Sequence, residues 1–164
     1  MATVTHQRLL ELLVYDCETG VLRWRIRAGR QPRGSPAGHM TASGYVSIRV
    51  DRKLYLAHRL VWLWMTREWP ILPIDHINRI GTDNRWCNLR LATMSQNLAN
   101  AKRPRHNMSG YKGVSWDNGT QRWRACITHE QKRHHLGLFD TPQQAHQVYC
   151  AAAAELFGAV ARAA

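Results

Sequence analysis

Long apolar stretches are missing from this 164-residue chain. The longest, Val148 to Ala154, has seven residues, against the ~20 that a membrane-spanning helix needs. The opening Met1-Ala-Thr-Val-Thr-His-Gln-Arg-Leu-Leu10 lacks the basic start and apolar core of a signal peptide, so no secretion is expected. Cysteine is sparse: Cys17, Cys87, Cys126 and Cys150 are scattered, with no Cys-x-x-Cys pair. That argues against a disulfide scaffold or a zinc ribbon and for a reducing, intracellular setting. Acidic residues are few, 11 against 23 cations, for a formal charge of +12. Lysine is rarer still, with four residues beside 19 Arg. The planar guanidinium forks onto phosphates and base edges better than the lysine point charge does. With 45% hydrophobic residues the chain is no disordered tail, and its length suits one ordinary domain or two small ones. These exclusions leave a soluble basic protein suited to a polyanionic partner.

The chain divides near residue 103. Ala101-Lys-Arg-Pro-Arg-His-Asn-Met-Ser109 has a proline, three cations and no apolar periodicity, as in a linker. Residues 1–100 carry 14 cations and 7 acids, and residues 101–164 carry 9 and 4, so both halves are basic. The expected organisation is a first domain over 1–102, a basic linker over 103–110 and a second domain over 111–164. The pattern around Leu9, Leu10, Leu12 and Leu13 predicts a helix over 6–14. Val21–Arg27 alternates as a strand, and residues 31–43 read as a loop. Gly44–Val50 and Lys53–Ala57 form a hairpin about Asp51-Arg52, and Ala57–Met65 predicts a buried helix stopped at Trp69-Pro70. His58 on it reads as a structural group rather than a ligand.

Between residues 73 and 100 the order is strand, loop, strand, helix. Ile74 and Ile77 bracket Asp75-His76 on a short strand, Leu89–Ala92 is a second strand, and Thr93-Met-Ser-Gln96 has the form of a capping box. Adjacent strand residues point to opposite faces. A carboxylate oxygen of Asp75 and an amide oxygen of Asn97 can hold one hard divalent cation, magnesium or manganese, from two sides. His76 can then take a proton from water, and the metal would polarise the scissile phosphate. Asn88 can fix the imidazole tautomer or bridge the loop, and Asn84 can also bridge the loop. Against this stands the ordinary use of Asn in turns and caps.

Ile74-Asp-His-Ile-Asn78, Asp83-Asn-Arg85, Asn88-Leu-Arg90 and Ser95-Gln-Asn97 resemble the HNH endonucleases, particularly phage and intron homing enzymes. With Ala57-His-Arg-Leu-Val-Trp62 upstream, the resemblance covers roughly residues 14–100. It implies a ββα-metal fold preceded by a small β-rich region. It also implies Asp75 and Asn97 as metal ligands, His76 as general base and Asn88 as the central Asn. Asn97 stands where many relatives have a final His, making this the His-Asn-Asn variant.

Beyond the linker, Ser109–Trp116, Arg122–Thr128 and Arg133–Phe139 read as three strands, with a hairpin turn at Asp117-Asn-Gly-Thr120. Thr141-Pro-Gln-Gln144 opens a helix whose apolar stripe is Ala145, Val148, Tyr149, Ala152 and Leu156. A sheet with one covered face is expected to carry alternating Arg and aromatic residues on its open face. Candidate DNA contacts are Lys112, Arg122, Arg124 and Arg133, with Trp116 or Trp123 along the sugars. Whether these Arg read bases or only grip phosphates stays open. Tyr111-Lys-Gly-Val114, Trp123-x-Ala-x-Ile127 and Leu136-Gly-x-Phe-Asp-Thr-x-x-x-Ala145 resemble the Apetala-type DNA-binding domain of plant ethylene-response factors. Ser115 stands where the plant domain has Arg.

The expectation is a two-domain α+β protein acting as a metal-dependent DNA endonuclease on double-stranded DNA. No membrane or protein partner is implied, and a monomer is expected. The resemblance implies a homing-type enzyme in the cytoplasm of a bacterial host. The alternatives are a non-catalytic DNA-binding regulator on a degenerate nuclease fold and a general nucleic-acid chaperone.

Overall fold

The computed structural model describes residues 3–100 and 107–158, apart from the side chains of residues 98 and 99. Residues 103–106 of the expected linker lie outside the described residues. The chain forms two compact units, Met1–Leu91 and Ala92–Ala164. Both mix helices with antiparallel sheets, so the fold is α+β. No described helix is long and apolar enough to cross a membrane.

In the first unit, α1 (His6–Leu12) starts at Thr5, whose hydroxyl accepts from Arg8 N. The expected helix over 6–14 ends early, because Leu13 opens β1 (Leu13–Asp16), antiparallel to β2 (Val21–Trp24). Asp16 Oδ1 accepts from Glu18 N and Thr19 N and folds the turn that returns β2 alongside. This pairing overrides the local helical pattern. β3 (His39–Met40), inside the expected loop, pairs with β4 (Val46–Val50), which pairs with β5 (Lys53–Leu56). The two-residue turn at Asp51-Arg52 has both φ angles positive, 45° and 65°, matching the right-handed twist of its strands.

α2 (Ala57–Thr66) follows β5 directly and ends before the expected stop, at Arg67 (φ 65°), whose N–H caps Leu63 O. α2 buries Ala57, His58, Leu60, Val61 and Leu63. Ala57, Leu60, Val61 and Leu63 join Leu9, Leu13, Ile48 and Val50 in one apolar core running from Val4 to Leu89. The β-rich N-terminal region is thus no appendage, because it shares its core with the strands carrying Asp75 and His76. Those strands are β6 (Ile74–His76) and β7 (Leu89–Leu91), with a 3-10 turn, Trp86–Asn88, leading into β7.

The second unit opens with α3 (Met94–Asn100), and its capping box is reciprocal as expected. Thr93 Oγ1 accepts from Gln96 N at 3.2 Å, and Gln96 Oε1 accepts from Thr93 N at 2.8 Å. A sheet of β8 (Val114–Asp117), β9 (Arg122–His129) and β10 (Lys132–Phe139) packs one face on α4 (Pro142–Phe157). The first turn is longer than the Asn118-Gly119 signal implies. Four residues separate Asp117 from its partner Arg122, Asp117 Oδ1 accepts from Gly119 N and Thr120 N, and the positive φ falls at Gln121. α4 starts at Thr141, with Pro142 in its first turn, and its buried line is Ala145, Tyr149, Ala153 and Phe157. This line steps by four residues, so Leu156, assigned to the stripe from sequence, is exposed.

Gly113 (φ 75°) sits where a Cβ would enter the Tyr149 ring. Gly113→Ala combines left-handed strain with overpacking and should destabilise the second unit by about 2–4 kcal/mol in a denaturant titration. In the first unit, burial pushes the His58 pKa from 6.5 down to about 3, with repulsion from His76 and Arg59 adding to it. Above 6.5 both folded and unfolded forms are neutral. Below it the unfolded chain takes a proton that the folded chain refuses, so stability falls as the pH drops from 6.5 towards about 3. The unfolding midpoint should fall over that window, with a shallower slope for His58→Phe. Equal slopes would contradict the assignment.

Candidate active site

β6 and β7 pair antiparallel, placing Asp75 opposite Arg90 and His76 opposite Leu89. Strand alternation turns the two polar side chains to opposite sides. Asp75 is held by Arg90, whose Nε and Nη2 reach the same oxygen, Oδ2, at 2.9 and 2.7 Å. The Asp75 side chain is only 11% exposed.

His76 is buried, and Asn84 Oδ1 lies 3.1 Å from its Nε2. Asn84 Nδ2 donates to Thr82 O, which fixes the amide with its oxygen towards the ring. An imidazole donating from Nε2 carries its lone pair on Nδ1. Burial lowers the His76 pKa, outweighing the opposing effects of Asn84, Asp75 and Asp83, so the ring is neutral near pH 7. The His58 ring stands edge-on to His76 at 5.1 Å, and Tyr45 lies 5.8 Å from His76 and 5.5 Å from His58. His58 Nδ1 is buried with no hydrogen-bond partner among the described residues.

Of the two roles left open for Asn88, the structure gives it the bridging of the loop. Its Nδ2 donates to Asn78 Oδ1 and to Asp83 O, and its Oδ1 accepts from Asn78 N at 2.9 Å. Asn78 Nδ2 donates to Asp83 Oδ2, and Arg85 grips the same carboxylate from Nε and Nη2. The Arg85 guanidinium, with Asn78, holds Asp83 down at about 2. The imidazole partner is instead Asn84, for which sequence suggested only loop bridging. Asn78, Tyr45 and the ring contacts of His58 were also missed. The available signal was the Asp83-Asn84 pair in the polar loop between the two strands.

Asp75, His76, Asn84 and Asn88 all belong to the first unit, while Asn97 lies on α3 in the second. Asn97 Oδ1 is buried with no hydrogen-bond partner among the described residues. No group of three or more His, Cys, Asp or Glu able to hold a metal occurs among the described residues.

The second unit's open sheet face carries Arg122 and Arg124 from β9 and Arg133 from β10. Asp117, Arg124, Cys126, Arg133, His135 and Leu138 line a groove of about 450 Å³ on it. Arg124 pairs with Asp117 at 3.2 Å, and Arg122 with Asp140 at 2.9 Å. Arg133 is exposed and forms no ion pair among the described residues. Lys112 precedes β8, and its carbonyl oxygen lies 3.2 Å from His146 Nδ1. The expected alternation of Arg and aromatic residues on the open face is corrected. Trp123 packs with Val114, Ala125 and Ala145 on the helix side and meets Trp116 edge-on at 5.0 Å. Successive residues of β9 must face opposite ways, so Trp123 cannot share a face with Arg122 and Arg124.

The chain matches the family HNH endonuclease over residues 55–99 and the AP2 domain over residues 109–159. It is 35% identical over 94 residues to "Protein 3.8" of Escherichia phage T7, covering 56% of this chain and 78% of that protein. It is also 35% identical over 85 residues to "Uncharacterized HNH endonuclease L560" of Acanthamoeba polyphaga mimivirus, covering 52% of this chain and 43% of that one. No solved structure matches significantly. With β6 and β7 presenting Asp75 and His76 inside the first match and a helix-backed sheet inside the second, the chain belongs to the HNH endonuclease family and carries an AP2 domain behind its HNH domain.

Proposed function

We propose that this protein is a metal-dependent DNA endonuclease that hydrolyses phosphodiester bonds at a directed site. The observation carrying this reading is His76, buried, neutral and held at Nε2 by Asn84. An imidazole in that state accepts a proton at Nδ1 from a water molecule as the water oxygen attacks phosphorus. Asn88, Asn78 and Asp83 keep the loop behind it from shifting. The residues that would hold one divalent cation are those the resemblance implies, Asp75 and Asn97. Their donor chemistry fits magnesium or manganese, since both are hard oxygen ligands. Among the described residues Asn97 Oδ1 is also a buried acceptor with no donor, an arrangement that costs free energy unless something binds there. A bound divalent cation supplies charge neutralisation at the phosphate and the leaving oxygen. The AP2 domain positions the enzyme, with Lys112, Arg122, Arg124 and Arg133 contacting DNA while Trp123 supports the sheet from behind.

One observation favours a second reading, a DNA-binding regulator that does not cut. Arg90 occupies Asp75 Oδ2 with two nitrogens, and a carboxylate committed in this way holds a cation less readily. Cleavage assays separate the two. Purified protein with magnesium or manganese should convert supercoiled plasmid to nicked or linear forms, and EDTA should stop it. His76→Ala should be slower by about 10²–10⁴-fold with its DNA affinity retained; cutting at the wild-type rate would remove His76 from the mechanism. On the sheet, Arg133→Gln should reduce the slope of log affinity against log salt by about 0.9, the loss of one phosphate contact. An unchanged slope would place Arg133 away from the DNA backbone.

A further inference from the structure

The chain before residue 55 belongs to neither matched domain, yet it touches the loop that holds His76. Tyr15 on β1 is buried, and its hydroxyl donates to the main-chain oxygen of Asn84 at 2.9 Å. Burial pushes its pKa up to about 12, so the phenol is a neutral donor in ordinary conditions. After the turn that follows β1, Gly20 (φ 76°) lies so close to the Asn84–Arg85 peptide that a Cβ there would overlap Arg85 N and the Asn84 carbonyl carbon. One hairpin thus makes two contacts on one peptide unit. The side chain of that same Asn84 meets His76 Nε2 at 3.1 Å. Only two side-chain torsions separate the clamped Asn84 backbone from the amide oxygen, so a shift of the peptide reaches the imidazole with little loss. A Phe at position 15 would fill nearly the same space, and what the hydroxyl adds is this hydrogen bond.

We infer that Tyr15 is a positioning residue for hydrolysis: it holds Asn84, and through Asn84 it holds the His76 ring in the tautomer that leaves Nδ1 as the base. This rests on the reading of His76 as the base. It extends the hydrolytic machinery into the N-terminal hairpin, whereas a purely structural Tyr15 would affect stability alone.

The test uses the full chain as wild type, Tyr15→Phe, Asn84→Ala and the double variant. Four quantities are measured: single-turnover plasmid cleavage with magnesium, DNA affinity, melting midpoint and the ¹⁵N shifts of the His76 ring. Tyr15→Phe should cut about tenfold more slowly, with affinity and midpoint close to wild type. It should add no further loss on the Asn84→Ala background, because both changes break one chain of contacts. The ring nitrogens should move from the Nε2–H pattern towards a mixture of tautomers in both single variants. Equal fold losses on both backgrounds, a rate that falls only in step with the melting midpoint, or an unmoved ring-nitrogen pattern in Tyr15→Phe would overturn the inference. If Asn84→Ala does not fold, the ring-nitrogen pattern of Tyr15→Phe decides alone. If wild type cuts no DNA, the endonuclease reading fails, while the ring-nitrogen pattern still judges whether Tyr15 holds His76.

Discussion

A buried histidine can serve as a base only if something selects which nitrogen keeps the lone pair. In the proposed reaction that task falls to the hydrogen bond between His76 Nε2 and Asn84 Oδ1. Much of the first unit serves to keep Asn84 still. Thr82 O fixes the rotation of its amide, and Tyr15 takes its carbonyl. The Asn78–Asn88–Asp83 cross-links prevent the loop on either side from sliding. The aromatic walls of Tyr45 and His58 remove water from the ring and keep it neutral. None of these groups need touch DNA to matter for the proposed hydrolysis.

Where sequence and structure agree, the signals are local. The Thr93/Gln96 capping box, the Asp51-Arg52 hairpin, the Thr141-Pro142 helix start and the strand carrying Asp75-His76 were all legible, because each depends on residues within a few positions of one another. Tertiary pairing decided the rest. Leu13 and Val14 fit a helical pattern but became strand, because β2 lies alongside them. Arg and aromatic residues sharing the open face would put Trp123 along the DNA sugars, but strand alternation turns it to the helix. The choice between Asn84 and Asn88 was illegible for a similar reason. Both are loop Asn residues close to His76 in sequence, and only the path of the loop decides which amide meets the ring and which meets the backbone.

The formal charge of +12 has become more specific. Of the three candidate Arg on the open sheet face, two are already paired with carboxylates, Arg124 with Asp117 and Arg122 with Asp140. Such pairs pre-orient the guanidinium groups and reduce their net pull on a distant phosphate. Arg133, without a carboxylate partner among the described residues, keeps the least compensated charge of the three. A high cation count therefore overstates how much charge meets DNA, and the arrangement of acids matters as much as the number of Arg.

Asp75 decides between an enzyme and a binding protein, because its carboxylate serves Arg90 in this structure and a cation in the proposed reaction. Asp75→Asn keeps the shape and removes the charge. The most direct measurement compares plasmid cleavage and DNA affinity for wild type and Asp75→Asn in magnesium or manganese. The account predicts active wild type, a variant slower by about 10²-fold or more, and equal affinity for both. Cleavage by Asp75→Asn at the wild-type rate, or no cleavage by either protein in either metal, would contradict it.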